Sequence, residues 1–335
     1  MGRDALTLAS SYLELSATDT VLMPAYSCKE VVRPFLKRTQ VEFYDVRPDL
    51  TIDPEELKRK LEVNKVKALL VINYFGFLQP FRSEIKQLCF ENGVVLIEDC
   101  AHSLLTVGSG ETGDFAVYSF RKTLPVPDGG GLKLNTNGKP ISASFYPTIC
   151  SNALSTLILA KSKLRVRSQF FSRAGLTTGN GDLSQETVPP TGEDRILPLS
   201  SFARAGLARA PFEDIFLRKR KDFEFWLELC RTSGLATPIF ADLPAGVCPL
   251  GFPIKVQDRD SMISSARRRG IDLMVHWRLP AKLGSECKTS HLLSTQTLTL
   301  PIYPDLVPPQ REALQSMLSS MEIKFPRETV ATAVS

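Results

Sequence analysis

The residues with the clearest chemical potential are one acid and one amine in two successive segments. Asp99 follows the apolar run 94–97, and Lys122 lies on a later segment that precedes the glycine run 129–131. A carboxylate can keep a pyridine nitrogen protonated, and a lysine amine can bond an aldehyde. Together they can hold pyridoxal 5'-phosphate (PLP). The sequence therefore predicts a PLP site with Asp99 and Lys122 as its catalytic residues.

Each of these two residues has an ordinary structural alternative when it is taken alone. Asp99 could be a helix N-cap after a strand, and Lys122 could be a surface lysine on a loop. A lysine that bonds an aldehyde needs partial burial, which lowers its pKa from the usual value of about 10.4. The occurrence of both residues, each beside a predicted strand, favours the cofactor interpretation.

Two further segments are candidates for holding the phosphate of that cofactor. Gly2, Arg3 and Asp4 precede a predicted helix over residues 6–15, so their backbone N–H groups can form an anion site at its start. Ser119 either donates a hydrogen bond to the phosphate or satisfies backbone groups at a strand end. The glycine run lacks the spacing of a phosphate-binding fingerprint.

The histidines offer weaker candidates. His102 could lie beside the phenolic oxygen of the cofactor, or it could be structural. His276 lies in the segment Val275-His276-Trp277-Arg278, where it and Arg278 could contact a substrate at a domain edge. No pair of the three histidines has the spacing of metal ligands, so we predict no metal site.

The elements that must position these residues alternate between strand and helix in the first part of the chain. The predicted strands are residues 20–24, 41–45, 66–73, 94–97, 115–120 and 131–134, and the predicted helices are residues 28–37, 53–61 and 81–91. This alternation predicts an α/β fold with a mainly parallel sheet and helices on both faces. Ligands in such sheets bind beyond the carboxyl ends of the strands, where Asp99 falls.

The later part of the chain is less regular. Residues 136–200 contain Asn, Gly, Ser and Thr in quantity, residues 177–193 are mostly polar, and the range predicts a loop-rich excursion or a lid. Residues 205–230 predict one long helix despite Pro211. The remaining predicted elements are residues 251–256, 258–270, 271–276 and 311–321, which indicate a smaller α+β unit. We predict a large cofactor-binding domain over 1–204, a connecting helix over 205–230, a small C-terminal domain over 231–325 and a frayed tail over 326–335.

Composition limits the class of protein. The chain has 335 residues and a net charge of +5 without a concentrated basic region, which gives little support to nucleic-acid binding. Basic clusters at 161–173 and 218–221 are typical of solvated helix faces, with attraction of an anionic substrate as the alternative. Seven single cysteines, no signal peptide and no apolar run of about 18 residues predict a cytoplasmic protein without a membrane span.

Seven segments together resemble the DegT/StrS family of PLP-dependent sugar aminotransferases, which have fold type I of the PLP-dependent transferases. The resemblance covers most of the chain. The segments and the family patterns that they resemble are residues 2–6 (the start of the phosphate-binding helix), 19–27 ("DEVIVPAYT"), 73–76 ("HLYG"), 94–102 ("VIEDAAQ"), 119–130 ("SFHATKNITTGEGG"), 270–277 ("GI…HY") and 298–304 ("LPLHP").

The resemblance implies a role for each matching residue. Lys122 would be the Schiff-base lysine, Asp99 the partner of the pyridine nitrogen, and His102 a substitute for a glutamine that contacts the ring oxygen. Ser119 and the amides around Arg3 would hold the phosphate. Possible substrate contacts are Tyr26, His276 and Arg278.

The resemblance also implies an activity. Family members transfer an amino group from glutamate or glutamine to keto sugars, mostly nucleotide-linked, and they are dimers with shared active sites. In that reaction Lys122 would move a proton between the donor's α-carbon and the cofactor. Two alternatives remain: another PLP reaction such as a dehydration, or a non-catalytic family member that acts as a regulator or scaffold.

Four features depart from the family pattern. The segment from Ser119 to Lys122 is two residues shorter than usual. His102 replaces an amide and is expected to titrate near neutral pH, and Cys28 stands where many members have an aromatic residue that stacks on the cofactor. Almost no sequence precedes Gly2, so either the chain is truncated or other residues supply that support.

Overall fold

The structure is a computed structural model. It describes residues 1–63, 65–135, 196–233, 236–271, 273–277, 279, 283, 285–304, 306 and 308–320. Residues 136–195 of the predicted excursion, Arg278 and the predicted tail over 326–335 lie outside the described residues.

The first part of the chain forms a six-stranded sheet in the order β2-β1-β3-β4-β5-β6. The strands are β1 (Thr20–Pro24), β2 (Gln40–Tyr44), β3 (Val66–Ile72), β4 (Val95–Asp99), β5 (Phe115–Ser119) and β6 (Gly130–Leu134). The first five strands pair in parallel, and β6 pairs antiparallel with β5 at the edge. The predicted mainly parallel sheet is confirmed.

Four helices accompany this sheet: α1 (Gly2–Tyr12), α2 (Lys29–Leu36), α3 (Pro54–Val63) and α4 (Arg82–Glu91). Helix α3 begins with proline and two glutamates, which suit the first turn because proline needs no donor there and acids favour the positive end of the helix. Helix α4 ends before Gly93, whose φ of 65° is easily reached by glycine.

The carboxyl ends of the central strands form one edge of the molecule. From β1 the chain crosses in one direction to β2 and then back past β1 to β3, so the strand order reverses between β1 and β3. This reversal opens a crevice beyond the strand ends. The residues that follow β1, β3, β4 and β5 at this edge include Tyr26, Asn73, Cys100 and Phe120.

The later part of the chain forms a three-stranded antiparallel sheet with its own helices. The strands are β7 (Thr237–Pro238), β8 (Phe252–Lys255) and β9 (Thr297–Leu300), in that order. The helices are α5 (Ser201–Ala208), α6 (Phe212–Ser233), α7 (Arg259–Arg268), α8 (Lys288–Gln296) and α9 (Pro308–Ser320). A second hydrophobic cluster surrounds the fully buried Trp226, whose Nε1 donates to the Pro301 carbonyl at 2.9 Å. An α+β unit is therefore present in this region, while the predicted domain boundaries stay a prediction.

Three predicted elements were wrong in detail. The single helix over 205–230 is two helices, α5 and α6, which are interrupted before Phe212. Pro211 explains the break, because proline lacks an N–H and clashes with the preceding turn. Among the described residues of the predicted strand 271–276, pairing is limited to one bridge between Met274 and Thr299. Helix α1 begins at Gly2 and not at Leu6.

Within the described residues, no helix combines the length and the apolar character that a membrane crossing requires.

Candidate active site

Asp99 is the last residue of β4 and is buried. Its Oδ1 accepts a hydrogen bond from the Ala101 N–H at 2.9 Å, and Oδ2 has no hydrogen-bond partner among the described residues. Burial raises the pKa of Asp99, while the nearby Lys122 amine and the Ala101 N–H lower it. One oxygen of this carboxylate is therefore available to a donor that the protein does not supply.

Lys122 ends a single 3-10 turn, Phe120–Lys122, that directly follows β5. Strands β4 and β5 are neighbours, so the turn lies next to Asp99 at the same sheet edge. Burial lowers the pKa of Lys122, whereas Cys28 and Asp99 raise it. The residue is nevertheless exposed. A lowered pKa and an exposed side chain occur together where protein surrounds a side chain on most sides while solvent still reaches it, as at the wall of a cleft.

The predicted phosphate contacts lie together at the start of α1. A methyl group at Gly2 would lie 3.0 Å from Ser119 Cβ, so only glycine allows the helix to approach Ser119 this closely. The first N–H groups of a helix have no acceptor within the helix. The N–H of Asp4 already donates to the Met1 carbonyl at 3.0 Å, which leaves the N–H groups of Gly2 and Arg3 to bind an anion.

The side chains of these residues have other roles. Arg3 pairs with Glu30 at 2.6 Å, so its contribution to an anion site is its backbone N–H. The Asp4 carboxylate binds the Met1 amino group at 2.7 Å. Ser119 is buried, and its hydroxyl has no hydrogen-bond partner within the described part of the chain. The hydroxyl and two amides thus form a small cradle of donors.

His102 lies three residues beyond Asp99 and is buried. Its Nδ1 accepts a hydrogen bond from the Phe75 N–H at 3.2 Å, which places the proton of the neutral ring on Nε2. Burial lowers the pKa of His102 well below its usual range, and Lys122 and His276 lower it further. This lowered pKa is contrary to the expectation that His102 titrates near neutral pH, and in the neutral ring the Nε2–H group is the donor that can bind a ligand.

The predicted substrate contacts are enclosed by protein. Tyr26 is fully buried, and its hydroxyl donates to the His276 carbonyl. His276 is also buried, with its Nδ1 2.8 Å from the Thr299 hydroxyl. Burial, assisted by Lys122, lowers its pKa to about 3. In this geometry both residues join the two parts of the chain to each other, and neither is open to a substrate.

Cys28 is the half-buried residue before α2. Burial raises the pKa of its thiol, and Lys122 opposes that rise. Cys28 therefore lies within electrostatic range of the lysine, as expected for its place in the family pattern.

Sequence reasoning missed a group of packed rings at this edge, which we call the aromatic cluster. It consists of Tyr26, Tyr74, Phe75, His102, His276 and Trp277. Trp277 is stacked on His102, with ring centroids 5.3 Å apart and planes 28° apart. Only the adjacency of His276 and Trp277 hinted at this cluster, because its members come from four separate segments.

A cavity of about 230 Å³ lies beside the start of α1 and is lined mainly by residues 128–132 and 196–199 together with Met1 and Asp4. Asp99 and Lys122 do not line it. The candidate active site is therefore formed by the donors and acceptors around Asp99 and Lys122, and this cavity is not its centre.

The residues present fit PLP. One free carboxylate oxygen, one accessible amine, one neutral imidazole donor and a cradle of hydroxyl and amide donors match its ring nitrogen, aldehyde, phenolic oxygen and phosphate. No group of three or more histidine, cysteine or acidic residues suited to a metal occurs in the described part of the chain.

Comparison with known proteins agrees with the resemblance found in the sequence. Residues 1–139 match the model of the DegT/DnrJ/EryC1/StrS aminotransferase family. GDP-perosamine synthase of Vibrio cholerae is 30% identical over 144 residues, which are 41% of this chain and 39% of that protein. The match therefore spans about two fifths of the length of this curated relative. Over residues 1–139 the match agrees with the family predicted from the sequence.

Solved structures extend the agreement in fold to almost the whole chain. The aminotransferase TlmJ from Streptoalloteichus hindustanus has a TM-score of 0.68 at 22% identity, covering 95% of this chain and 83% of that one. NtdA from Bacillus subtilis, with bound cofactor PMP, has a TM-score of 0.64 at 19% identity, covering 95% and 71%. The predicted fold of a PLP-dependent transferase is confirmed.

Proposed function

We propose that this protein is a PLP-dependent aminotransferase that moves an amino group from an amino-acid donor, glutamate or glutamine, to a keto sugar. The observation that carries the proposal is the pair formed by Asp99 and Lys122 at the ends of neighbouring strands. These side chains influence each other's pKa, yet among the described residues neither forms a direct ion pair. A site that keeps an acid and an amine close but unpaired is suited to a ligand that engages both.

Each residue has a defined task in that proposal. PLP supplies an electron sink that stabilises a carbanion next to nitrogen. The Asp99 carboxylate holds the proton on the ring nitrogen, and the neutral His102 ring donates from Nε2 to the phenolic oxygen. The Lys122 amine, with its pKa lowered by burial, accepts the proton from the donor's α-carbon and later returns it.

The substrate class is proposed from the relatives. GDP-perosamine synthase acts, by its name, in making a nucleotide-linked amino sugar. The family match over residues 1–139 includes Asp99 and Lys122. We therefore propose a nucleotide-linked keto sugar as acceptor, in polysaccharide or secondary-metabolite biosynthesis. Cytoplasmic location and a homodimer with shared active sites belong to the same proposal, and sedimentation of the cofactor-loaded protein tests the dimer.

The decisive experiment follows the cofactor spectrum. Purified protein is loaded with PLP, freed of excess cofactor and titrated with glutamate, then with glutamine. We expect a visible band that is lost as donor is consumed in one-to-one proportion to bound cofactor. Lys122→Ala should abolish both the band and turnover, whereas Lys67→Ala, at the amino end of β3, should change neither.

Other outcomes would replace the proposal. A visible band that persists with either donor would indicate another PLP reaction, such as a dehydration. A folded protein that binds no cofactor would indicate a non-catalytic family member. Unchanged amino transfer by Lys122→Ala would remove the assigned role of the lysine.

A further inference from the structure

Trp277 belongs to the later part of the chain and packs against His102, a predicted cofactor residue. Within the aromatic cluster, His276 is the other residue of that part of the chain that does so. Trp277 is half-buried, although the rings around it are buried. It lies nearly parallel to two of them: His102 at 5.3 Å and 28°, and Phe75 at 6.1 Å and 24°. Trp277 therefore forms one side of the space that His102 occupies.

The position of Trp277 is fixed by contacts on its other sides. Its ring packs against Tyr26 at 5.1 Å and Tyr74 at 5.9 Å. Tyr74 donates to the Tyr26 carbonyl at 2.7 Å, and Tyr26 donates to the carbonyl of His276, the residue before Trp277. The His276 ring is held in turn by the Thr299 hydroxyl on β9. A chain of hydrogen bonds thus joins β1, β3 and β9 behind the indole.

His102 needs such a support because a single hydrogen bond does not fix an imidazole plane. The Phe75 N–H selects the tautomer by occupying Nδ1, and the ring can still tilt about that contact. Stacking of the indole on the imidazole face opposes this tilt. The direction of the Nε2–H bond then depends on both contacts.

We propose that Trp277 is a positioning residue that holds the neutral His102 ring so that its Nε2–H points at the phenolic oxygen of the bound cofactor. The inference rests on the proposed function, since it concerns the orientation of a cofactor-binding group. Trp277 would act through His102 and not by its own contact with the reacting atoms. Supporting groups of this kind are commonly worth about tenfold in binding or activity.

A double-mutant cycle tests this inference with a readout besides activity. PLP is titrated into wild-type protein, Trp277→Ala, His102→Ala and the double variant, and the visible absorption maximum and the dissociation constant of PLP are measured. We expect Trp277→Ala to shift the maximum and to weaken PLP binding about tenfold in the wild-type background. In the His102→Ala background the same substitution should change neither quantity, because the group that it positions is gone.

Two further variants separate positioning from folding. Trp277→Phe keeps a stacking ring and should retain most of the wild-type maximum, even if Trp277→Ala does not fold. Trp226→Phe alters the only other tryptophan, which is buried in the second hydrophobic cluster. It should lower the melting temperature without moving the absorption maximum.

The possible results are distinct. Equal shifts by Trp277→Ala in both backgrounds, or no shift in the wild type, would overturn the positioning role while the proposed function stands. If Trp277→Ala cannot be purified folded, a Trp277→Phe maximum as far displaced as that of His102→Ala would also overturn it. A wild-type protein that binds no PLP would remove the proposed function and this inference with it.

Discussion

Two adjacent carboxylates at the end of β4 differ in the number of hydrogen bonds that they accept. Glu98 and Asp99 are both buried, and because successive strand residues point to opposite faces they enter different surroundings. Glu98 accepts four hydrogen bonds, from Asn73 Nδ2 at 2.8 Å and from the N–H groups of Gly110, Thr112 and Gly113 at 3.0 to 3.2 Å. Asp99 accepts one, from Ala101.

The difference separates a structural acid from one kept for a ligand. Glu98 accepts hydrogen bonds from three backbone N–H groups within residues 110–113 and thereby fixes the loop between β4 and β5. Asp99 bears the cost of burial with little compensation, which is a common property of functional groups. The same strand therefore carries an acid that stabilises the fold, Glu98, and an acid that can bind a ligand, Asp99.

The largest expected effect is on activity, at Asp99, where activity and stability should respond differently to substitution. Asp99→Asn should lower kcat about 10²- to 10³-fold, since a charge that stabilises the reacting system is lost. Burial raises the pKa of Asp99 above its unfolded value of about 3.9, so the native protein binds this proton more tightly than the unfolded chain does. The ionised form thus costs stability at neutral pH, and the cofactor-free variant should melt no lower than wild type in calorimetry. A lower melting point would contradict this.

Glu98→Gln should have the reverse pattern. The amide NH₂ group would face backbone N–H groups, which are donors and cannot accept a hydrogen bond from it. The negative charge that strengthens all four hydrogen bonds would also be lost. We expect the free energy of unfolding to fall by about 3 kcal/mol, measured by urea titration. Glu91→Gln, at an exposed position on α4, should stay within about 0.5 kcal/mol. Equal stability of the Glu98 and Glu91 variants would contradict a structural role for the Glu98 carboxylate.

A substitution at Gly110 tests whether stability depends on the close approach of the loop between β4 and β5 to Tyr118. Its φ is 74°, and a methyl group there would lie 1.8 Å from the Tyr118 hydroxyl oxygen. Gly110→Ala should cost about 3 kcal/mol from strain and overlap. Gly93 is the matched control, because its φ of 65° is similar and nothing lies within 4 Å. Gly93→Ala should therefore cost only about 1 kcal/mol, from the backbone conformation alone.

The buried histidine near Lys122 predicts a pH dependence of the opposite sign to that of Asp99. The pKa of His276 is lowered to about 3, so between about pH 6.5 and 3 the unfolded chain binds a proton that the native state excludes. Stability is then lost as pH falls, by at most about 1.4 kcal/mol per pH unit for this group. His276→Asn should reduce that slope in urea titrations between pH 6 and 4, and an unchanged slope would argue against a neutral, enclosed ring.

The smallest effect is expected at Gly2, the first residue of α1. Gly2→Ala would push α1 a few tenths of an ångström from Ser119. PLP binding should weaken by about tenfold or less, with little change in melting temperature. Gly131→Ala, where the nearest atom is 3.4 Å away, is the control for an added methyl group nearby. Equal dissociation constants for both variants would show that the cradle tolerates displacement.

Much of the first part of the fold could be predicted from the sequence. Continuous apolar runs such as 66–72 indicate strands covered on both faces, and the proline and acids at the start of α3 indicate a helix start. The long helix was wrong because its periodicity continues across Pro211, whose effect is local and steric. Strand 271–276 was wrong because pairing requires a partner, and Met274 alone among the described residues of this range has one.

The candidate site was only partly predictable. Asp99, Lys122 and Ser119 were identified because each closes or follows a strand in the correct order along the chain. Glu98 was missed, since the pattern of donors around it comes from a loop that folds back. Trp277 was missed because its stacking on His102 joins segments far apart in the sequence.

The sequence by itself determined which chemical groups this protein possesses and the order of the strands that carry them, since both follow from residue type and local periodicity. Tertiary structure decided which of two neighbouring acids is satisfied, which tautomer His102 adopts and which ring supports it. Those outcomes depend on hydrogen-bond donors and ring planes supplied by distant segments, and local sequence contains no record of them.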